Sequence, residues 1–315
     1  KTTKEEQGNQ MVTELLSTFN DKLAENIFHP TFQVNIQEYM HWHYRLNHIS
    51  FTIMHKMATQ GLLPQHISSF IKELQRSNRK PPMCNDCLCA KACRRKWRTK
   101  KTAEVKKPIK PGDLVSVDQL ISSTPGFVAC LQGGRPTKET YKGSTIFVDH
   151  ASDFTYIYHH THLNAHETVL AKQAFEAEAR KHGVTIRQYR ADNGLFNSRE
   201  FKDHIKQKDQ TITFSGVGAH HQNGVAEKKI GDLQRKATTL LLHAQRRWPD
   251  AITHHLWPYA LRCANETHNT CPTKANDLSP LNIFSSSKTK PSYLNQHHFG
   301  CPVYVLKQDL SLIHI

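Results

Sequence analysis

No stretch of this 315-residue chain is apolar over the ~18–20 residues that a transmembrane helix needs. No signal-peptide pattern opens it, and no internal repeat or low-complexity tract interrupts it. Hydrophobic residues make up only 37%, which predicts a modest core beneath much polar surface. Acids are scarce beside bases, 27 against 42, leaving a net charge of +15. That excess favours a polyanionic partner. Its clustering favours nucleic acid over a merely soluble basic protein. An evenly spaced disulfide framework is missing too. Cys84, Cys87, Cys89 and Cys93 are bunched, while Cys130, Cys263, Cys271 and Cys301 are scattered. This usage points to a reducing compartment and a metal site. The chain opens at Lys1 and stops at Ser311-Leu-Ile-His-Ile315, which predicts a piece of a longer polypeptide.

Pattern and punctuation divide what is present. Residues 1–40 form a weakly patterned extension. Residues 41–95 begin rich in His and end rich in Cys, with helical apolar spacing at 51–57 and 67–74 between. Residues 91–110 carry ten Lys or Arg against one acid, Glu104, so 96–112 reads as a basic linker closed by Pro108 and Pro111. From 113 to 272 the pattern is α/β. Strands are predicted at 114–120, 144–149, 154–159, 184–190 and 211–214. Helices are predicted at 164–182, 198–208, from 223 to near Trp248-Pro249, and over 250–268. Asn164 is the N-cap candidate and Gly183 the stop signal of the first of these helices. Residues 273–315 read as loop with one strand candidate at 302–306. Three early strands, then alternating helices and strands, predict a mixed sheet flanked by helices. Residues 121–143, with Gly133-Gly134, fit no element.

Three acids stand out. Asp118 interrupts the apolar run 114–120, where a buried carboxylate is costly unless paired or metal-bound. Asp192 ends a strand in Arg190-Ala-Asp-Asn-Gly194, and Glu227 falls in the first turn of the long helix in Gln222-Asn-Gly-Val-Ala-Glu227. Each has an ordinary alternative: a turn or cap for Asp192, a response to the helix dipole for Glu227. Asp149 rivals Asp118, although a hairpin turn at 149–153 accounts for it. Converging from separate elements, such acids suit a pair of divalent ions on a phosphodiester. On the helix, Gly231, Gln234 and Arg235 share the Glu227 face, where Gln234 and Arg235 are candidate DNA contacts and Gly231 leaves room for a close approach.

Trp42-His43-Tyr-Arg-Leu-Asn-His48 and Cys84-Asn-Asp-Cys87 supply two His and two Cys, the donor set of a closed structural zinc site. His41 could replace His43, and Cys89 or Cys93 could replace one thiol of the pair.

In this order the motifs resemble the integrases of copia-type long-terminal-repeat retrotransposons. Residues 42–48 look like that family's Trp-His-x-Arg-Leu-Gly-His, with Asn47 in place of Gly. Cys84-Asn-Asp-Cys-Leu-Cys-Ala-Lys91 looks like its Cys-x-x-Cys-x-x-Gly-Lys, with Ala90 in place of Gly. Asp192-Asn-Gly194 and Gln222-Asn-Gly-Val-Ala-Glu-Lys228 are similar to its acidic blocks, although Gly218-Ala-His-His221 replaces the usual Thr-Pro-Gln. The 34 residues between Asp192 and Glu227 are one fewer than usual. Leu278–Phe284 and Phe299–Val305 resemble the segments that follow the family's core. No Tyr-x-Asp-Asp reverse-transcriptase signature occurs. The resemblance implies a ribonuclease H-like catalytic core with a mixed five-stranded sheet, preceded by a small helical HHCC zinc-binding domain. It implies Asp118, Asp192 and Glu227 as the catalytic triad holding two Mg²⁺ or Mn²⁺. It also implies one structural Zn²⁺ on His43, His48, Cys84 and Cys87. The activity implied is joining element cDNA ends to target DNA. DNA contacts are expected from Gln234, Arg235, Arg94, Arg95, Lys96, Arg98, Lys100 and Lys101, in a homo-oligomer without a membrane, and the DNA substrate places the protein in the nucleus if the host is eukaryotic. A catalytically silent DNA-binding derivative and a related transposase are the alternatives.

Overall fold

The computed structural model describes residues 30–77, 81–92, 110–128, 138–215, 223–273 and 276–303. The chain divides into two compact units, 1–41 and 42–315. Of the first, only the opening of helix α1 (Pro30–Arg45) is described.

The second unit begins with a helical segment: α2 (Phe51–Thr59), α3 (Gln65–Arg76) and the short α4 (Asn85–Lys91). Ser50 caps α2 by accepting from the Ile53 N–H. Between α1 and α2, Asn47 and His48 adopt left-handed backbone, φ 55° and 57°. Asn is one of the few non-glycine residues that tolerates this region, which accounts for Asn47 where the resembling family has Gly. The Asn47 amide is also used: Nδ2 donates to Thr267 Oγ1 and Oδ1 accepts from the Phe299 N–H.

The sheet holds β1 (Val115–Phe127), β2 (Thr140–Asp149), β3 (Thr155–His160), β4 (Gln188–Ala191) and β5 (Thr211–Phe214) in the order β3-β2-β1-β4-β5. The first three strands pair antiparallel, and β4 and β5 extend the other edge of β1 in parallel. This is the mixed five-stranded sheet flanked by helices that the pattern predicts. One face packs on α5 (Ala165–Lys181) and α6 (Arg199–Gln207), the other on α7 (Gly224–Arg247) and α8 (Trp257–Thr270). Strand alternation sorts the residues. Val115, Val117, Phe147, Tyr189 and Ala191 enter the α5–α6 core, while Leu120, Ile146 and Val148 enter the α7–α8 core. Phe147 stacks on Phe175 at 4.6 Å, and its full burial is worth roughly 1.5–3 kcal/mol.

Local chemistry sets the ends. Asn164 caps α5 through the Glu167 N–H at 2.8 Å, and Gly183 stops it with φ 72°, as expected. Gly112 anchors the start of β1. Its N–H donates to Asp149 and its carbonyl accepts from the Arg187 N–H, and a Cβ there would meet the Thr185 carbonyl at 2.3 Å.

Several elements depart from the sequence reading. β1 runs on to Phe127 and β2 starts at Thr140, so the flanks of the unplaced 121–143 stretch are strand, with an irregularity between Ile121 and Gly126. Gly126 permits it, because Trp257 and Pro258 sit where a Cβ would be. β4 starts at Gln188 rather than 184, since Arg187 pairs with Gly112 instead of β1. No helix begins at 250: a 3₁₀ turn, His254–Leu256, precedes α8, whose first turn holds Pro258. Beyond Cys271 the chain forms one short helix, α9 (Pro280–Phe284), where loop is predicted. Residues 302–303 are not strand, and the rest of that candidate lies outside the described residues. No described helix is long and apolar enough to cross a membrane.

Candidate metal centres on a shared helix

Asp118 lies in β1, and Asp192 directly follows its neighbour β4. Val115 lies opposite Tyr189 and Ser116 opposite Arg190; Asp118 stands two residues past the last pair on β1, and Asp192 two residues past it on the other chain segment, just beyond the end of β4 at Ala191. Val117, the residue before Asp118, faces the α5–α6 core, so alternation along β1 directs Asp118 to the opposite, α7 side. Asp118 Oδ1 accepts from the Gln119 N–H at 2.8 Å, and Asp192 Oδ1 from the Gly194 N–H at 3.3 Å.

Asn223, 1% exposed just before α7, places the third acid. Its Nδ2 donates to the Val117 carbonyl at 3.1 Å, on the peptide that leads into Asp118. The side chain therefore binds the strand rather than capping the helix, and its Oδ1 is buried without a partner. Glu227 follows one helical turn later on the same helix face, exposed to solvent. The three acids are not drawn into a tight cluster. Among the described residues, groups of three or more His, Cys, Asp or Glu with donor atoms within 4.8 Å of one another occur only in His43–His48–Cys84–Cys87 and in His48–Asp86–His243. Open spacing with hard oxygen donors suits ions that keep several waters. Asp149 is settled as a turn residue: it accepts from the Gly112 N–H, the Ser152 N–H and the Ser152 hydroxyl.

The first tight cluster selects among the sequence alternatives. Cys84 Sγ lies 3.4 Å from His48 Nδ1, and Cys87 Sγ lies 3.5 Å from His43 Nε2 and 3.6 Å from His48 Nδ1. Tetrahedral zinc with the usual Zn–S and Zn–N bonds requires S···N separations of about 3.6 Å. The donor set and its spacing fit that ion. Exposed His41 and Cys89 stand outside the cluster, and Cys93 lies outside the described residues. Hydrogen bonds from Cys87, His43 and His48 push the Cys84 thiol below its ordinary range. Burial lowers the His48 pKa, keeping that ring neutral as a metal ligand must be.

Of the expected DNA contacts, Gln234 is exposed on α7 and Arg235 is ion-paired with Asp232. Nothing but the Arg235 side chain approaches a Cβ placed at Gly231, so no packing inside the chain demands that glycine. Arg94, Arg95, Lys96, Arg98, Lys100 and Lys101 lie outside the described residues. A cavity of about 500 Å³, between the helical segment and α7–α8, gathers Lys91, Lys229, Arg235, Lys236 and His268 with Asp153 and Asp232. By helical phase Lys229 and Lys236 occupy the side of α7 away from Glu227.

One further arrangement mimics catalytic machinery. Thr145 Oγ1 lies 2.6 Å from His160 Nε2, and His160 Nδ1 lies 3.1 Å from Glu167. Thr145 is 0% and His160 1% exposed, so no substrate reaches the hydroxyl; the trio ties β2 and β3 to α5.

Residues 16–92 match the GAG-pre-integrase domain, a span that holds all four His and Cys residues of the first cluster. Comparison with curated proteins gives no match. Solved structures similar to the chain include the HTLV-2 integrase catalytic core domain in complex with magnesium, 16% identical with TM-score 0.39, covering 56% of this chain and 98% of that one. The simian T-cell lymphotropic virus intasome in complex with PP2A regulatory subunit B56 gamma is also similar: 16% identical, TM-score 0.45, 80% of each chain. The catalytic core domain of BIV integrase is 16% identical with TM-score 0.38, covering 56% of this chain and 95% of that one.

Proposed function

We propose that the chain is an integrase of an LTR retrotransposon, of the copia type, which joins a DNA 3′-hydroxyl to a target phosphodiester. The observation that carries this reading is the parallel pairing of β1 with β4, whose continuation past Ser116 and Arg190 would bring Asp118 next to Asp192, while Asn223, just before the Glu227 helix, donates to the Val117 carbonyl. The GAG-pre-integrase match over 16–92 supports it.

Asp118, Asp192 and Glu227 are the residues that would hold two Mg²⁺ or Mn²⁺ ions. Bound there, the ions supply activation of the attacking oxygen and stabilisation of the leaving one in an in-line displacement. The chain's own contribution is placement. In this reading neighbouring strands bring two carboxylates together, Asn223 ties the helix that carries the third to the strand, and Glu227 stays exposed where DNA would approach. No side chain serves as a covalent nucleophile in this reading. His43, His48, Cys84 and Cys87 hold a structural Zn²⁺ that folds the helical segment. The 91–110 charge run, Gln234 and Arg235 engage DNA backbone, and the protein works as a homo-oligomer.

A strand-transfer assay with Mg²⁺ and donor and target duplexes tests the assignment. Asp192→Asn abolishes joining while leaving DNA binding intact. Joining that survives the substitution refutes the assignment, and a wild-type chain that binds DNA but never joins it favours a catalytically silent derivative instead.

A further inference from the structure

A zinc-bound imidazole almost always gives its second N–H to an acceptor, which fixes the tautomer and ring orientation. His43 does so: Nε2 faces Cys87, and Nδ1 lies 2.9 Å from the Ile49 carbonyl. His48 turns Nδ1 toward both cysteines, which leaves Nε2 to carry the hydrogen. That nitrogen is buried and has no hydrogen-bond partner. An unsatisfied buried donor is destabilising, because its bond to water is lost and not replaced.

The ring it meets belongs to α7. His243, 6% exposed, lies edge-to-face with His48 at a centroid separation of 4.6 Å. Its Nδ1 is 3.1 Å from Oδ2 of Asp86, the 2%-exposed acid between Cys84 and Cys87, which also binds Arg246. A carboxylate accepts, so His243 carries its hydrogen on Nδ1 and presents a bare lone pair at Nε2. Nε2 of His243 is likewise buried and without a partner. One orphaned donor and one orphaned acceptor thus sit on touching rings, with donor atoms of His48, Asp86 and His243 within 4.8 Å of one another.

We infer that His243 is the outer partner of the zinc site: the His48 Nε2–H donates to His243 Nε2, directly after a small ring rotation or through one water, while Asp86 fixes the His243 tautomer. This rests on reading His43, His48, Cys84 and Cys87 as zinc ligands. His243 is a positioning residue, acting on the metal through His48. The relay places a requirement of the zinc site on the same helix that carries Glu227.

The test uses the purified full chain, with zinc affinity measured by competition against a chromophoric chelator. Wild type binds one zinc. His243→Phe keeps the ring and its packing but removes both nitrogens, and it weakens zinc binding about 10–100-fold. His243→Gln, whose amide oxygen reaches the Nε2 position, recovers part of that loss. Unchanged affinity in the phenylalanine variant overturns the relay, because packing alone then suffices. A measurement on the unaltered protein covers the case in which the variants fail to fold. Long-range ¹H–¹⁵N spectra of the zinc-loaded chain show His48 as the Nε2–H tautomer and His243 as the Nδ1–H tautomer. An Nε2–H tautomer at His243 overturns the proposal, as does a stoichiometry of two zinc ions, since the free nitrogens would then be ligands. Absence of zinc from the wild type defeats the zinc-site reading itself, a result separate from failure of the relay.

Discussion

Replacing Asn223 by alanine tests how the carboxylates are assembled. The β1–β4 ladder ends at Ser116 and Arg190, so beyond it the Val117 carbonyl receives a side-chain donor, Asn223 Nδ2 at 3.1 Å. Asn223 is 1% exposed, and alanine leaves that carbonyl without its donor at a cost of about 1–3 kcal/mol. In a domain of this size each kcal/mol moves Tm by about 2–4 °C, so a fall of roughly 2–12 °C is expected. The effect on activity is larger in proportion. Without the tie, the first turn of α7 is free to shift relative to Asp118, and a displacement of about 1 Å at a reacting centre costs on the order of 10²-fold in rate. Thermal unfolding followed by circular dichroism, and Mg²⁺-dependent strand transfer on the same preparation, read the two quantities. Asn223→Asp gives the sharper comparison, since it keeps the shape, removes the donor and adds a charge near Asp118. A variant with the expected loss of Tm but wild-type joining would falsify the idea that this bond sets the position of Glu227.

Two other perturbations follow from buried charge. Lys172, 0% exposed, lies 2.8 Å from Glu176, whose same oxygen accepts from Tyr189 and Gln210. Lys172→Met therefore destabilises by about 3–5 kcal/mol, whereas Lys172→Met with Glu176→Leu costs much less; denaturant titrations that show simple additivity would sink this account. On the α7 side, burial first and then Arg190 push the His150 pKa down to about 4, while its Nε2 lies 2.8 Å from Ser116 Oγ. The unfolded chain then binds this proton near the ordinary value of 6.5, before the folded one does. His150 accordingly contributes stability that is fully present above about pH 6.5 and is lost as pH falls toward 4. Each tenfold difference in proton affinity between the folded and unfolded chain is worth at most about 1.4 kcal/mol, before solvent screening. His150→Gln flattens that limb of a stability–pH curve, and an unchanged slope between pH 6.5 and 4 refutes it.

What the sequence made legible depended on how local its cause was. The helix at Asn164–Gly183 could be read because cap, stop and apolar spacing lie within one segment. A meeting of Asp118 with Asp192 is legible as a possibility, because one acid interrupts an apolar strand and the other ends a second one; that the two strands are neighbours shows only in the pairing of Val115 with Tyr189. The His43–His48–Cys84–Cys87 set could be read from spacing, and geometry was needed to choose His43 over His41. Asp86 and His243 gave no signal. They meet across 157 residues, and an acid inside a Cys-x-x-Cys turn looks like any solvated helix start until α7 covers it. The same long-range cause hid the second half of β1, whose Gly126 is fitted to Trp257 and Pro258, and the late start of α8.

The long helix is where these separate observations join. Its first turn carries Glu227, just after the Asn223 tie to Val117, and its last turns carry His243 and Arg246 against Asp86, so α7 links the strand that holds Asp118 to the His–Cys cluster. The step from Glu227 to His243 spans about 24 Å of continuous helix. Between them Leu233, Ala237 and Leu240 are buried against the sheet and α8, which fixes how the helix sits on the core. Over that length a tilt of only about 3° at the docked end moves the other end by about 1 Å, the scale on which a reacting centre loses orders of magnitude in rate. Anchoring α7 at both ends, by Asn223 on Val117 and by His243 and Arg246 on Asp86, removes that freedom. The zinc-type cluster and the acids need not exchange a ligand or a proton to depend on one another, because a single rigid element has to satisfy the geometry of both.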